Sequence, residues 1–341
     1  MIAILGVAGY FLNKTAPRDS SSLSSLTSQS EAWAEAAESS TTILAFGDMM
    51  LDRAVRTKID QYGAAYPFQL IEGFLTGNDI VVANAKGAFT SNPSVAKPGP
   101  DGPLVFTFDP GVLPTLKKLG FTLFSQANNH SLGFGAAGLA DSHWFMERAG
   151  LAWFGDPLNQ DLHVYVTTTR GVKVAFVGYH QFTPGGIGTA LAAIGAAKQS
   201  GAFVIVYPHW GVEYESGTTT IQTADAHAFV DAGADVILGA HPHVIEPVEI
   251  YRGRAIFYSL GNFIFDQAQT GPTSQGLAVR MSVASSTVSY QLYPFDIRHA
   301  QASLMDDADR VALLASLAAK SSASDDVKAG IEGGRFSLSR D

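Results

Sequence analysis

The sequence predicts an α/β domain with a largely parallel central sheet, and three observations lead there. Short apolar runs recur along the chain, each stopping at a polar residue or a glycine-containing turn. Helix-like stretches lie between those runs. Strands that alternate with helices build parallel sheets, whose ligands bind beyond the carboxyl ends of the strands. In this chain the polar residues of greatest chemical interest sit at those ends.

Residues 1–12 are apolar apart from Tyr10. That is short of the ~20 residues a membrane-spanning helix needs, but it suits the core of an export signal or the end of an anchor. Residues 1–18 are therefore expected to be a signal or anchor. Residues 19–40, rich in serine, are expected to be a flexible linker with a short Ala-rich helix over 31–38. The folded domain is expected over 41–300. Its first strand is Ile43-Leu44-Ala45-Phe46, stopping at Gly47-Asp48, and Asp79-Ile80-Val81-Val82-Ala83 stops at Asn84. Phe121-Thr122-Leu123-Phe124 leads to Asn128-Asn129-His130, and Lys173-Val174-Ala175-Phe176-Val177 stops at Gly178. Ala202-Phe203-Val204-Ile205-Val206 leads to Pro208-His209, and Ala234-Asp235-Val236-Ile237-Leu238 to Gly239-Ala240-His241-Pro242-His243. Ala255-Ile256-Phe257-Tyr258-Ser259 stops at Leu260-Gly261-Asn262.

Helices are expected over 110–119, 139–149, 187–198 and 224–232, several closed by glycine. Residues 277–297 alternate apolar and polar, as half-exposed antiparallel strands near an edge do. Residues 301–341 are expected to hold one helix, over 306–320, then a polar linker and a loosely held tail.

The chain has 341 residues with 46% hydrophobic and 16% charged, enough for a substantial core. Its net charge of −9, without a basic cluster, argues against a nucleic-acid partner. The absence of cysteine excludes disulfides, thiolate metal sites and cysteine nucleophiles.

Asp48, Asn84, Asn129, His130, His209, His241 and His243 all fall at strand ends and would converge on one rim. Histidine is the commonest metal ligand among side chains. Carboxylate, amide and imidazole donors together suit a divalent ion such as Mn, Zn or Fe.

Five segments, in order over roughly 42–300, carry a family resemblance. They are Gly47-Asp48-Met49-Met50-Leu51-Asp52-Arg53, Ala127-Asn128-Asn129-His130-Ser131-Leu132, His209-Trp210-Gly211-Val212-Glu213-Tyr214, the stretch from Gly233 through His241-Pro242-His243, and Tyr258-Ser259-Leu260-Gly261-Asn262-Phe263. The chain resembles the CapA family of capsule or poly-γ-glutamate biosynthesis proteins, which are similar to calcineurin-like metallophosphoesterases. The resemblance implies a four-layer α/β/β/α sandwich of two mixed sheets. It implies Asp48, Asn129, His209, His241 and His243 as metal ligands and His130 as general acid. Arg53, Asn84, Lys86, Glu213 and Asn262 would line the pocket. The chemistry implied is attack on phosphorus by a hydroxide bound to one or two such ions.

Two positions depart from the family pattern. Asn84-Ala85-Lys86 stands where the family has Asn-Leu-Glu, so a cation replaces an anionic ligand. Gly133 stands where an aspartate is usual, which removes a carboxylate that could orient His130. Two functions follow as expectations. One is metal-dependent hydrolysis of a phosphoester or polymer. The other is a non-catalytic, polyanion-binding or export subunit that keeps the fold with a degraded metal site. Membrane synthase or export subunits are the expected partners, and a membrane-anchored or exported domain the expected location.

Overall fold

A computed structural model describes residues 40–97, 103–267 and 271–340. The signal or anchor, the serine-rich linker and the helix expected before residue 40 lie outside the described residues. Among the described residues no helix is long and apolar enough to cross a membrane.

Two mixed sheets dominate. The larger runs Gln301–Leu304, Thr287–Arg298, Gln275–Val283, Thr41–Met49, Ile80–Ala85, Leu123–Ser125 and Ala152–Phe154 from one edge to the other. Asn262–Ile264 also pairs with Thr41–Met49, and Arg335–Ser339 with Thr287–Arg298. Thr41–Met49, Ile80–Ala85, Leu123–Ser125 and Ala152–Phe154 pair in parallel, whereas Gln275–Val283 joins Thr41–Met49 antiparallel. The second sheet runs Val248–Tyr251, Arg254–Phe257, Val236–Leu238, Phe203–His209, Val172–His180 and Tyr165–Thr169, with a parallel centre and antiparallel edges.

The strand residues alternate between apolar clusters, as a pleat with both faces covered requires. Ile43 and Ala45 of the first sheet share one cluster with Phe176, Ile205 and Leu238 of the second. Leu44 and Phe46 point the other way, toward Val55, Ile59, Leu116 and Met146 of three helices. On the second sheet Ala175, Val177, Val204 and Val206 pack with Ile194 and Phe229 of the helices Gly188–Gln199 and Thr220–Ala232. The latter helix starts with a reciprocal capping box between Thr219 and Gln222 and ends at left-handed Gly233.

The expected helix over 110–119 is a 3-10 turn, Pro110–Val112, followed by Leu113–Lys118. The last residues are not a loose tail. A helix, Asp325–Glu332, is capped by Ser324 and buries Ile331. Strand Arg335–Ser339 then pairs antiparallel with Thr287–Gln291. Phe336 explains the strand, since it stacks on Tyr290 with ring centroids 4.8 Å apart.

Candidate functional site

Strand register builds the site. Asp48 is the register partner of Asn84 on one side and of Asn262 on the other, all three buried at the ends of parallel strands. In the second sheet His209 is paired with His180 on one side and Ala240 on the other, and His241 follows Ala240. The two rows meet where Asn84 Nδ2 lies 3.0 Å from His209 Nδ1 and Lys86 Nζ lies 3.0 Å from His243 Nε2.

The loop carrying the last two histidines is held under strain. His241 has φ 104° and His243 φ 63°, a left-handed backbone that non-glycine residues adopt at a cost of about 1–3 kcal/mol each. Gly239 precedes them for a steric reason. A Cβ there would stand 1.9 Å from the Tyr258 carbonyl oxygen.

The hydrogen bonds fix the tautomers. Asn84 donates from Nδ2 to Asp48 Oδ1 at 2.6 Å, and its Oδ1 accepts from Asn128 Nδ2 at 3.1 Å. The amide so oriented presents a donor to His209 Nδ1. The proton of His209 therefore sits on Nε2 and is donated to Asn129 Oδ1 at 3.0 Å. Asn262 donates from Nδ2 to the Thr273 carbonyl, so its Oδ1 accepts from His243 Nδ1 at 2.7 Å. His243 Nε2 is then the acceptor for Lys86, whose ammonium also donates to Asp48 Oδ2 at 3.2 Å. Glu213 Oε1 stands farther off, 3.7 Å from the same nitrogen.

Lys86 is 1% exposed and Asp48 fully buried. Burial alone would raise the Asp48 pKa, but the Lys86 ammonium, His243 and the Asn84 hydrogen bond together hold it below the usual carboxylate value. Burial, then the Lys86 charge, presses His209 well below the normal imidazole value and His241 down to about 3. His209 and His241 are thus neutral imidazoles beside a fixed cation.

His130 sits beside this network. Its backbone N–H donates to Asn128 Oδ1, its Nδ1 lies 2.9 Å from the Leu104 carbonyl oxygen, and its ring packs on Phe106. Burial first and the Lys86 charge second lower its pKa to about 3. A backbone carbonyl occupies the place of an orienting carboxylate, and the Gly133 turn supplies none. Arg53 forms an ion pair with Asp266 and lies over the Phe106 and Phe265 rings. Those rings connect it to the site, since Phe106 packs on His130 and Phe265 on His243.

Four participants escaped the sequence reasoning. Asn128, wholly buried, orders both Asn84 and His130. His180, at the end of its strand, has a buried Nε2 without a partner. Continuing the apolar alternation past Gly178 through Tyr179 would have found it. Exposed Phe182 and Tyr214 rim the mouth, one against His241 and the other stacked on His243.

The donor set can be tested against the expected ions. Asp48 Oδ1 and Oδ2, His209 Nδ1 and His243 Nε2 all accept hydrogen bonds within the protein. Among the described residues no group of three or more His, Asp or Glu side chains is arranged to hold a metal ion. A two-ion centre does not fit these residues as they stand. Two buried histidine nitrogens close to His209 remain without a partner, His241 Nδ1 and His180 Nε2, their rings 4.7 and 5.7 Å from the His209 ring.

Residues 42–267 match the family described as bacterial capsule synthesis protein PGA_cap. The chain is 31% identical over 271 residues to a PGA biosynthesis protein CapA of Bacillus subtilis, covering 74% of this chain and 71% of that one. It is 31% identical over 277 residues to a capsule biosynthesis protein CapA of Bacillus anthracis, covering 75% and 67%. A probable polyglutamine synthesis accessory protein of Mycobacterium tuberculosis is 28% identical over 224 residues, 58% of each chain. By the extent of that match and those identities, the chain belongs to the PGA_cap family of bacterial capsule synthesis proteins.

Proposed function

We propose that this chain is a non-hydrolytic accessory protein of capsule or poly-γ-glutamate biosynthesis that binds an anionic stretch of the polymer at the strand-end site. The observation that carries this is the nearly closed hydrogen-bond network around Asp48, which leaves a buried ammonium at its centre and few lone pairs for a metal. An ammonium has three N–H groups. Asp48 and His243 take two, and the third serves a carboxylate or phosphate oxygen in a charge-assisted hydrogen bond. The neutral His130, with no carboxylate behind it, suits binding better than proton donation to a leaving group. The likeness to a PGA biosynthesis protein CapA and to a probable polyglutamine synthesis accessory protein supports an accessory place in synthesis of the polymer.

The same reading takes the two sheets and flanking helices as the four-layer α/β/β/α metallophosphatase-like sandwich. It has residues 1–18 and the serine-rich linker present the domain outside the membrane, beside synthase or export subunits. One observation favours a second reading. The unpartnered His241 Nδ1, with His209 Nε2 and Asn129 Oδ1 once the proton between those two is released, would hold a single Mn, Zn or Fe ion. That ion would serve as a Lewis acid for hydrolysis of a phosphoester or polymer.

The test is poly-γ-glutamate binding by wild-type protein, with metal content and p-nitrophenyl phosphate turnover measured on the same preparation. Saturable polymer binding without turnover is expected. Metal-dependent turnover by the wild type would replace the first reading with the second.

A further inference from the structure

Lys86 is placed as a metal ion would be. Its Nζ separates a buried carboxylate oxygen, Asp48 Oδ2, from a buried imidazole nitrogen, His243 Nε2, at 3.2 and 3.0 Å. Those donor types bind divalent ions such as Zn or Mn. The lysine is also tethered. It leaves the end of strand Ile80–Ala85 directly after Ala85, and its backbone N–H donates to the Met49 carbonyl of the neighbouring strand at 2.9 Å. With only 1% of its surface exposed, the side chain is enclosed at this position. Its charge cancels that of Asp48, so a divalent ion added at this point would leave net positive charge in a buried site.

The geometry points to Lys86 as a tethered cation that takes the place of one metal ion, making this half of the site independent of metal. We infer that the Asp48–His243 position is a divalent-cation site closed by a single side chain, and that Lys86→Glu opens it. A carboxylate at position 86 would remove the competing charge and add a third donor to Asp48 and His243. The inference rests on the reading above for the role of the site, but not on whether that site binds polymer.

The experiment counts Mn²⁺ per chain, by calorimetric titration and by elemental analysis after dialysis, for wild type and Lys86→Glu. The variant is expected to bind one Mn²⁺ more than the wild type, and Mn²⁺ is expected to raise its melting temperature while leaving that of the wild type nearly unchanged. Without metal, the new carboxylate faces Asp48 across a buried gap. A variant that folds only when Mn²⁺ is added therefore also supports the inference, by circular dichroism. Lys86→Asp asks the same question with a smaller side chain. Equal Mn²⁺ counts in wild type and a folded variant would overturn the inference, as would two Mn²⁺ ions on the wild type. Equal counts with polymer binding intact would sink this inference alone. One extra ion in the variant, with no polymer binding by the wild type, would sink the binding proposal alone.

Discussion

Replacing Lys86 by methionine keeps most of the side-chain volume and removes the ammonium. Asp48 then keeps its buried charge with no cation in contact. At the observed 3.2 Å separation, the attraction lost is roughly 5 kcal/mol for an effective dielectric near 20. Breaking a buried pair from one side costs about 3–5 kcal/mol in practice. Lys86→Met should lose that much in urea unfolding at pH 7, and Asp48→Asn, which strands the ammonium, should lose a comparable amount. Asp48→Asn/Lys86→Met strands neither charge. Its loss should fall short of the summed single losses by about 3 kcal/mol, the coupling expected of side chains in direct contact. The unfolding slope should stay constant across the set, so that midpoints report stability. If Lys86→Met unfolds within about 1 kcal/mol of wild type, or if the two losses simply add, the ammonium does not sit between buried partners and the reasoning fails.

Other consequences can be checked in parallel. His130 and His241 have folded pKa values near 3 against an ordinary 6.5, so the unfolded chain takes up protons that the folded chain refuses. Stability should therefore be full well above pH 6.5 and fall on acidification, by about 1.6 kcal/mol per histidine between pH 6.5 and 5; a flat profile there would contradict neutral, buried imidazoles. Gly239→Ala would push a methyl against the Tyr258 carbonyl and Trp210 Nε1, 1.9 and 2.7 Å from the new carbon. Thermal unfolding should show a loss on the order of 3 kcal/mol or more, or no soluble protein. Phe182→Ala and Tyr214→Ala alter side chains 49% and 55% exposed at the mouth. Stability should change by about 0.5 kcal/mol or less, while poly-γ-glutamate affinity in a fluorescence titration drops.

The rim was legible before the fold because parallel strands bring their carboxyl ends to one edge of a sheet. Asp48, Asn84, Asn129, His209, His241 and His243 could be grouped from position alone, and register then made Asp48 and Asn84 direct neighbours. Lys86 could be recognised as out of place for its charge. Its destination could not, because whether a lysine swings to water or turns inward depends on what packs over it, and here that is a loop 157 residues away. Asn128 was hidden for a related reason. Its role is to orient other side chains, and a sequence shows residue types rather than amide directions. The terminal strand was missed because Phe336 and Leu338 give only two apolar positions in five, too brief an alternation to separate from a tail.

The most direct test of the central claim is a crystal structure of the wild type grown in Mn²⁺, with anomalous diffraction locating any ion. The account predicts Lys86 Nζ within hydrogen-bonding distance of both Asp48 and His243, with no anomalous peak between them. An ion ligated by Asp48 and His243, with the lysine side chain turned away from both, would contradict it.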